Sequence, residues 1–290
     1  MAEEAWGRWG PDDERGALNF IDSEAVRRAV SMVSRGQVFS LGQPISARMP
    51  IPPARPRLSH FMARDGGDYA AGARRAGSFA FADDTVVLPL HLGTHIDALC
   101  HAWCGHRLYN GVSETEIRST GAARLGVDKM PPIVSRGVLL DFVAVTGAPL
   151  PDGETITLEM LTAAQERADA TISPGDVVLL RTGWLESRSA KNKPDFDKEP
   201  GLGVEAALML AEAGASVVGA DNYAVEVLPF PEGTIFPVHQ RLIRDYGIPL
   251  LEGLVLAPLA AVGATKFLFV AAALPIAGAT GSPLTPLAVL

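Results

Sequence analysis

Four of the six histidines in this 290-residue chain fall between positions 91 and 106. Three of them share one short run, His91-Leu92-Gly93-Thr94-His95-Ile96-Asp97-Ala98-Leu99-Cys100-His101. Imidazole and carboxylate groups at this density are what a divalent transition metal requires. A fold that uses them must bend the chain sharply enough for side chains four and six residues apart to meet. The approach, Thr85-Val86-Val87-Leu88-Pro89-Leu90, is β-branched and apolar and reads as a strand. Pro89 and Gly93 argue against a helix, so His91 and His95 are not a helical i, i+4 pair. The run is therefore expected at a strand end and the turn after it. If the chain folds back at Gly93, then His91, His95 and Asp97 can serve as ligands. Asp97 lies two residues beyond His95, so on extended backbone both face one side. His101, four residues further on, is near enough to act as a general base or as another ligand.

The remaining chain reads as scaffold. A helix is expected over Ser23–Ser34, capped by Asp22 or Ser23, with Ala25, Val26, Ala29, Val30 and Val33 on one face. Strands are expected at Gln37–Leu41, Gly137–Val145, Val177–Arg181, Ser216–Ala220, Ile248–Leu256 and Thr265–Ala273. Helices are expected at Thr157–Ala170, Val204–Ala213 and His239–Tyr246. Five prolines between Pro44 and Arg57 forbid regular structure there, and His60-Phe61-Met62 with Gly66, Gly67 and Gly72 continue the loop. Loops of this length inside a compact domain usually cover or line a site. Lys191–Glu199 reads as a charged surface loop. No repeat or low-complexity linker divides the chain. The expected architecture is one α/β domain over residues 1–290, with a mixed, barrel-like sheet flanked by helices. Residues 1–36 form an N-terminal extension, and 44–77 a Pro/Gly-rich loop over the active site.

A formal charge of −8 with no basic run longer than a pair argues against nucleic acid as a partner. The longest apolar run, Phe267–Ala279, is broken by Pro275 and too short to cross a bilayer. No basic segment leading into an apolar core opens the chain, and two cysteines imply no disulfide framework, so a cytoplasmic location is expected. The absence of a GxGxxG or phosphate-binding loop, and of a Gly-x-Ser-x-Gly elbow, argues against nucleotide cofactors and a serine nucleophile.

The run HLGTHIDALCH resembles the HxGTHxDxxxH motif of the cyclase-type metal-dependent hydrolases, a family that includes kynurenine formamidases and isatin hydrolases. Further segments are similar in the family's order: Pro174-Gly175-Asp176 through Arg181-Thr182-Gly183-Trp184, Gly219-Ala220-Asp221-Asn222 with Val225-Glu226-Val227, Val238-His239 with Gly247-Ile248 and Leu251-Glu252, and Ala279-Thr280-Gly281-Ser282-Pro283. Asp12–Asn19 and the Pro-rich loop resemble the longer branch. The resemblance implies His91, His95 and Asp97 as ligands of a first metal, and Asp97, His239 and Glu252 as ligands of a second. It implies His101 as catalytic base, and in single-metal relatives His239 and Glu252 support catalysis. Leu99 departs from the formamidases, which carry Pro there.

The resemblance implies a hydrolase acting on a small amide, cyclic amide or lactone, an arylformamide or isatin-like compound, with one or two zinc or manganese ions. The alternatives are a lyase or cyclase that uses the metal to polarise a carbonyl, and a non-catalytic metal-dependent binding protein. A homo-oligomer, dimer or tetramer, is expected from the resemblance. His60, Phe61 and Trp103 are candidates to line the substrate pocket, with Trp6 as a further stacking candidate. Asp221 either orients a ligand histidine or caps the next turn. Cys100, Cys104 and His106 lack the fourth ligand of a closed zinc site, so buried thiols are expected instead. Arg181, ending a buried strand, is expected to pair with a carboxylate.

Overall fold

Nine short, mostly apolar segments pair into one mixed sheet in the structure, a computed structural model that describes residues 5–75, 77–189 and 195–290. In chain order they are β1 (Val38–Ser40), β2 (His95–Asp97), β3 (Ile133–Asp141), β4 (Val177–Arg181), β5 (Val217–Ala220), β6 (Leu250–Glu252), β7 (Lys266–Ala271), β8 (Gly281–Pro283) and β9 (Leu287–Val289). Across the sheet the order is β1-β9-β7-β3-β4-β5-β6-β2-β8. The four central strands, β3 to β6, run parallel, and every other pairing is antiparallel.

Parallel neighbours need crossovers, and helices supply them. Helix α2 (Leu158–Ala168) joins β3 to β4, and α3 (Val204–Glu212) joins β4 to β5. Helix α1 (Ser23–Val30) packs on β3 with α2. The continuous apolar character of Val177-Val178-Leu179-Leu180 reflects this position, since a central parallel strand is covered on both faces. The architecture is thus the expected α/β domain with a mixed, curled sheet flanked by helices.

Several boundaries differ from those the sequence suggests. Helix α1 stops at Val30, and only Ala25 and Ala29 are buried, while Val30 and Val33 face solvent. The strand expected at Thr85–Leu90 forms over Asp83–Val87 and ends before His91. It pairs with Ser59–Arg64 in a separate two-stranded hairpin, largely exposed along its length. The segment 44–77 is therefore only partly irregular, and it also holds a short helix, Gly66–Ala70, capped by Asp65. Strand β3 begins at Ile133, ahead of the expected Gly137, and it ends at Asp141, which caps a short helix over Phe142–Thr146. Strands β8 and β9 give no readable pattern because each is only three residues long.

The N-terminal extension is built into the core. Ala17 and Leu18 are buried, the Ala17 N–H donates to the Gly247 carbonyl at 2.8 Å, and the Ser216 hydroxyl donates to the Ala17 carbonyl. The Trp6 indole donates to the Arg244 carbonyl, which makes it an anchor for this segment and not a stacking platform. Of the expected surface loop at Lys191–Glu199, residues 191–194 lie outside the described residues. Its last member, Glu199, is fully buried and accepts hydrogen bonds from the Tyr223 and Ala224 N–H groups. Among the described residues no helix is long and apolar enough to cross a membrane.

Phe269 lies fully buried on β7, between partners on β3 and β9. Phe269→Ala should lower unfolding free energy by about 3–5 kcal/mol through lost burial and a residual cavity. Urea titration monitored by circular dichroism checks this, and an unchanged midpoint would contradict the assignment of this strand to the core.

Candidate metal centre

Strand register assembles the site. On β2 and β6, His95 lies directly opposite Glu252, and on β2 and β8, Asp97 lies opposite Gly281. The period of two on β2 puts His95 and Asp97 on the same side, as expected, and both are about 1% exposed. Between His91 and His95 the chain reverses at Gly93, whose φ of +61° belongs to the left-handed region that glycine tolerates. This bend swings the His91 ring back over Asp97, with Nδ1 at 2.6 Å from Oδ1. Gly281 leaves the room for it, because a Cβ there would lie 2.7 Å from His91 Cε1. His101 lies in the turn after β2 and stacks beside His91, with ring centroids 4.1 Å apart. His239 enters from the Pro237–His239 turn of helix, between β5 and β6.

These five side chains and Glu252 converge. His91, Asp97 and His101 form one group whose ligand atoms lie within 4.8 Å of one another, and Asp97, His239 and Glu252 form a second. His95 joins them, its Nε2 at 3.1 Å from Glu252 Oε2 and 3.7 Å from Asp97 Oδ1. Among the described residues, the buried side-chain polar atoms without a hydrogen-bond partner are His95 Nε2 and Asp97 Oδ2. Buried polar atoms are nearly always satisfied, and two lone-pair bearers in one enclosed cluster fit a shared cation. The residues present therefore suit a divalent metal.

Tautomers agree with that fit. The His95 Nδ1–H donates to the Gly93 carbonyl at 2.9 Å, and the His239 Nδ1–H donates to Glu226 Oε1 at 2.5 Å. Each contact leaves Nε2 as the atom turned toward the carboxylates. Glu226 also accepts from the backbone N–H groups of Val238 and His239, so it sets both the ring and the turn that carries it. His91 is held at both nitrogens, by Asp97 and by the Thr280 hydroxyl at 3.0 Å, so it can coordinate only by exchanging one of them.

Charge and burial oppose one another here. Burial acts to raise the Asp97 pKa, but His101 and His91 outweigh it and hold the carboxyl below its ordinary range. Burial and Asp97 push Glu252 up, yet the His239 and His95 imidazoles that face it leave it lowered. Burial disfavours the His239 cation, and Glu226 with Glu252 reverse this, raising its pKa to about 10. For His101 burial dominates the opposing pull of Asp97, and the pKa falls to about 4. His101 is thus a neutral imidazole near pH 7.

A cleft of about 360 Å³ opens above His91 and Glu252, walled by Arg48, Met49, Ile51, Trp184, Phe196 and Tyr223. None of the four pocket candidates suggested by the sequence lines it. His60 sits in the hairpin, bound to Asp84 at 2.6 Å, and Phe61 beside it is exposed. Trp103 is exposed and donates to Glu114. The Asp221 carboxylate is buried and accepts from Thr182 and Gly183, which assigns it to the turn after β4 rather than to a histidine. Among the described residues of the 44–77 segment, residues 48–52 line the cleft. Cys100 is buried against the Ala279 carbonyl and His106 pairs with Glu114 at the surface, so no second site forms there among the described residues. Arg181 pairs with Asp141 and Glu186, as expected. Sequence reasoning misses the part played by Glu226, although an acid between Val225 and Val227 is a detectable signal. It misses Trp184, Phe196 and Tyr223 because only the folded chain gathers them.

The family description "Putative cyclase" matches residues 39–227. The crystal structure of a novel cyclase is 38% identical, covering 99% of this chain and 100% of its own, with a TM-score of 0.91. Isatin hydrolase A from Labrenzia aggregata, bound to benzyl benzoate, is 22% identical over 91% of this chain and 98% of its own, with a TM-score of 0.68. A predicted metal-dependent hydrolase from Bacillus stearothermophilus is 23% identical over 87% and 97%, with a TM-score of 0.57. These last two share the fold. No curated protein sequence matches the chain.

Glu226→Gln should weaken metal affinity by about 10- to 100-fold while the protein stays folded, because the His239 tautomer is no longer enforced. Chelator competition measures this, and unchanged affinity would remove Glu226 from the site. Because His239 titrates near 10, metal binding below that pH should release protons, and affinity should fall as pH drops. Calorimetry at about pH 7.5 in buffers of different ionisation enthalpy counts them; a count of zero would contradict the assignment.

Proposed function

The chain belongs to the cyclase family, and from that membership we propose that it is a metal-dependent hydrolase of a small, aromatic amide, cyclic amide or lactone. One observation carries the reading. His95 Nε2 and Asp97 Oδ2 are buried and lack hydrogen-bond partners among the described residues, within a ring of three further histidines and Glu252. His91, His95, Asp97, His239 and Glu252 would hold the metal. Nitrogen and oxygen donors suit zinc or manganese, and two ligand groups sharing Asp97 accommodate one ion or two.

When bound, such an ion makes water more acidic and polarises a carbonyl. The chain's own residues supply the rest. His101, neutral because burial outweighs the pull of Asp97, takes a proton from the attacking water. The water oxygen bonds to the carbonyl carbon, the carbon–nitrogen or carbon–oxygen bond breaks, and the proton passes from His101 to the leaving atom. The leaving atom departs with the bonding electron pair, so no oxidant is needed. The Trp184, Phe196 and Tyr223 wall supports a flat aromatic substrate, and the likeness to isatin hydrolase supports a cyclic amide. The exposed hairpin residues Phe61, Met62, Val86 and Val87 support a homo-oligomer, which sedimentation velocity tests.

His101→Ala should retain bound metal and lose about 10²- to 10⁴-fold in kcat, whereas His91→Ala should lose metal and turnover together. Metal analysis beside a panel of formamides, cyclic imides and lactones reads both effects. Full activity in the His91 variant would overturn the proposal. Turnover in oxygen-18-labelled water should place the label in the product acid; an unlabelled product would favour a lyase or cyclase.

A further inference from the structure

The cleft carries positive charge that the described residues do not balance. Two arginines line it, Arg48 and Arg188. Arg188 is committed: it is largely buried, bonds the Asp152 carboxylate and the Lys198 carbonyl, and lies over the Trp184 ring. Arg48 is exposed on the cleft wall and has no hydrogen bond or ion pair to any described residue. A third guanidinium, Arg55, lies 5.1 Å over the Tyr223 ring and donates to the His91 carbonyl, again with no carboxylate partner among the described residues. The carboxylate on the lining, Glu252, already faces His95 and His239. In a chain with a formal charge of −8, Arg48 and Arg55 are thus two guanidinium groups at this cleft without a carboxylate partner among the described residues.

Beside those groups stand three aromatic side chains, Trp184, Phe196 and Tyr223, on the cleft lining. Phe196 meets Tyr223 edge-on at 5.1 Å and Trp184 at 6.2 Å, and Met49 and Ile51 line the same cleft. An aromatic ring fits such a lining, and a guanidinium pairs best with a carboxylate. We propose that the substrate is an aryl compound bearing a carboxylate separate from the bond that is cleaved, with that carboxylate paired to Arg48. This inference rests on the hydrolase reading for the cleaved bond, and Arg48 acts in it as a specificity-determining residue.

The test compares N-formylanthranilate with formanilide, two aryl formamides that differ in one ring carboxylate. The wild-type protein, loaded with metal, should favour N-formylanthranilate in kcat/KM by about tenfold or more. In Arg48→Ala that ratio should fall toward one, mainly through KM, and Arg48→Lys should recover part of it. Arg57→Ala, an exposed arginine outside the cleft lining, should leave the ratio unchanged. Because the pair is exposed, added salt should shrink the preference. Equal kcat/KM for both amides in the wild type, or a ratio that survives Arg48→Ala, would overturn the proposal. If neither amide is hydrolysed, the hydrolase reading is what fails for this class. Calorimetric binding of benzoate against benzamide then decides the anion site: benzoate binding weakened about tenfold by Arg48→Ala supports it, and indifference to the substitution overturns it.

Discussion

The buried carboxylate of Asp97 organises the site. A carboxylate this deeply enclosed is expensive unless opposite charge and hydrogen bonds surround it. Here His91 bonds one oxygen, while His101 and His239 stand 3.9 and 3.7 Å from the other. The second oxygen still has no hydrogen-bond partner among the described residues. The surrounding imidazoles outweigh burial and keep the group ionised, and the remaining deficit is what a cation fills.

Much of the fold can be understood as what it takes to hold that arrangement. The parallel centre, β3 to β6, supplies a rigid apolar platform, and the antiparallel addition of β2 and β8 at one edge sets the ligands against it. A shift of one residue between β2 and β6 would turn Glu252 away from His95, so register is a chemical requirement as well as a packing one. Gly281 and Gly93 serve the same end, one by leaving space for the His91 ring and the other by turning the chain. Glu226 ties the final ligand-bearing turn to the β5–β6 connection.

Legibility from sequence tracks the range of the interactions. Central strands such as Val177–Arg181 and helices such as Leu158–Ala168 are readable because apolar runs and capping residues act locally. The strand leading towards His91 is readable in kind but not in place: Val86 and Val87 do lie on a strand, but among the described residues it pairs with the hairpin's other arm, and both side chains are exposed. Glu199 reads wrongly as surface because its burial comes with Tyr223 and Ala224, 24 and 25 residues away. The aromatic pocket candidates fail for the same reason. Trp103 is close to the ligands along the chain, His60 and Phe61 belong to the loop expected over the site, and none lines the cleft. Trp184, Phe196 and Tyr223 are distant from the ligand run in sequence and do.

The sequence by itself determined that histidine and carboxylate ligands would gather near residues 91–101, because their density and the Gly93 break are local properties. The likeness to the cyclase-type hydrolases added His239 and Glu252. Tertiary structure alone decided how these groups face one another, which nitrogen of His95 and His239 is left for coordination, and which aromatic and cationic residues wall the cleft. Those outcomes depend on strand register and on contacts across long stretches of chain, and no local pattern of residues encodes either.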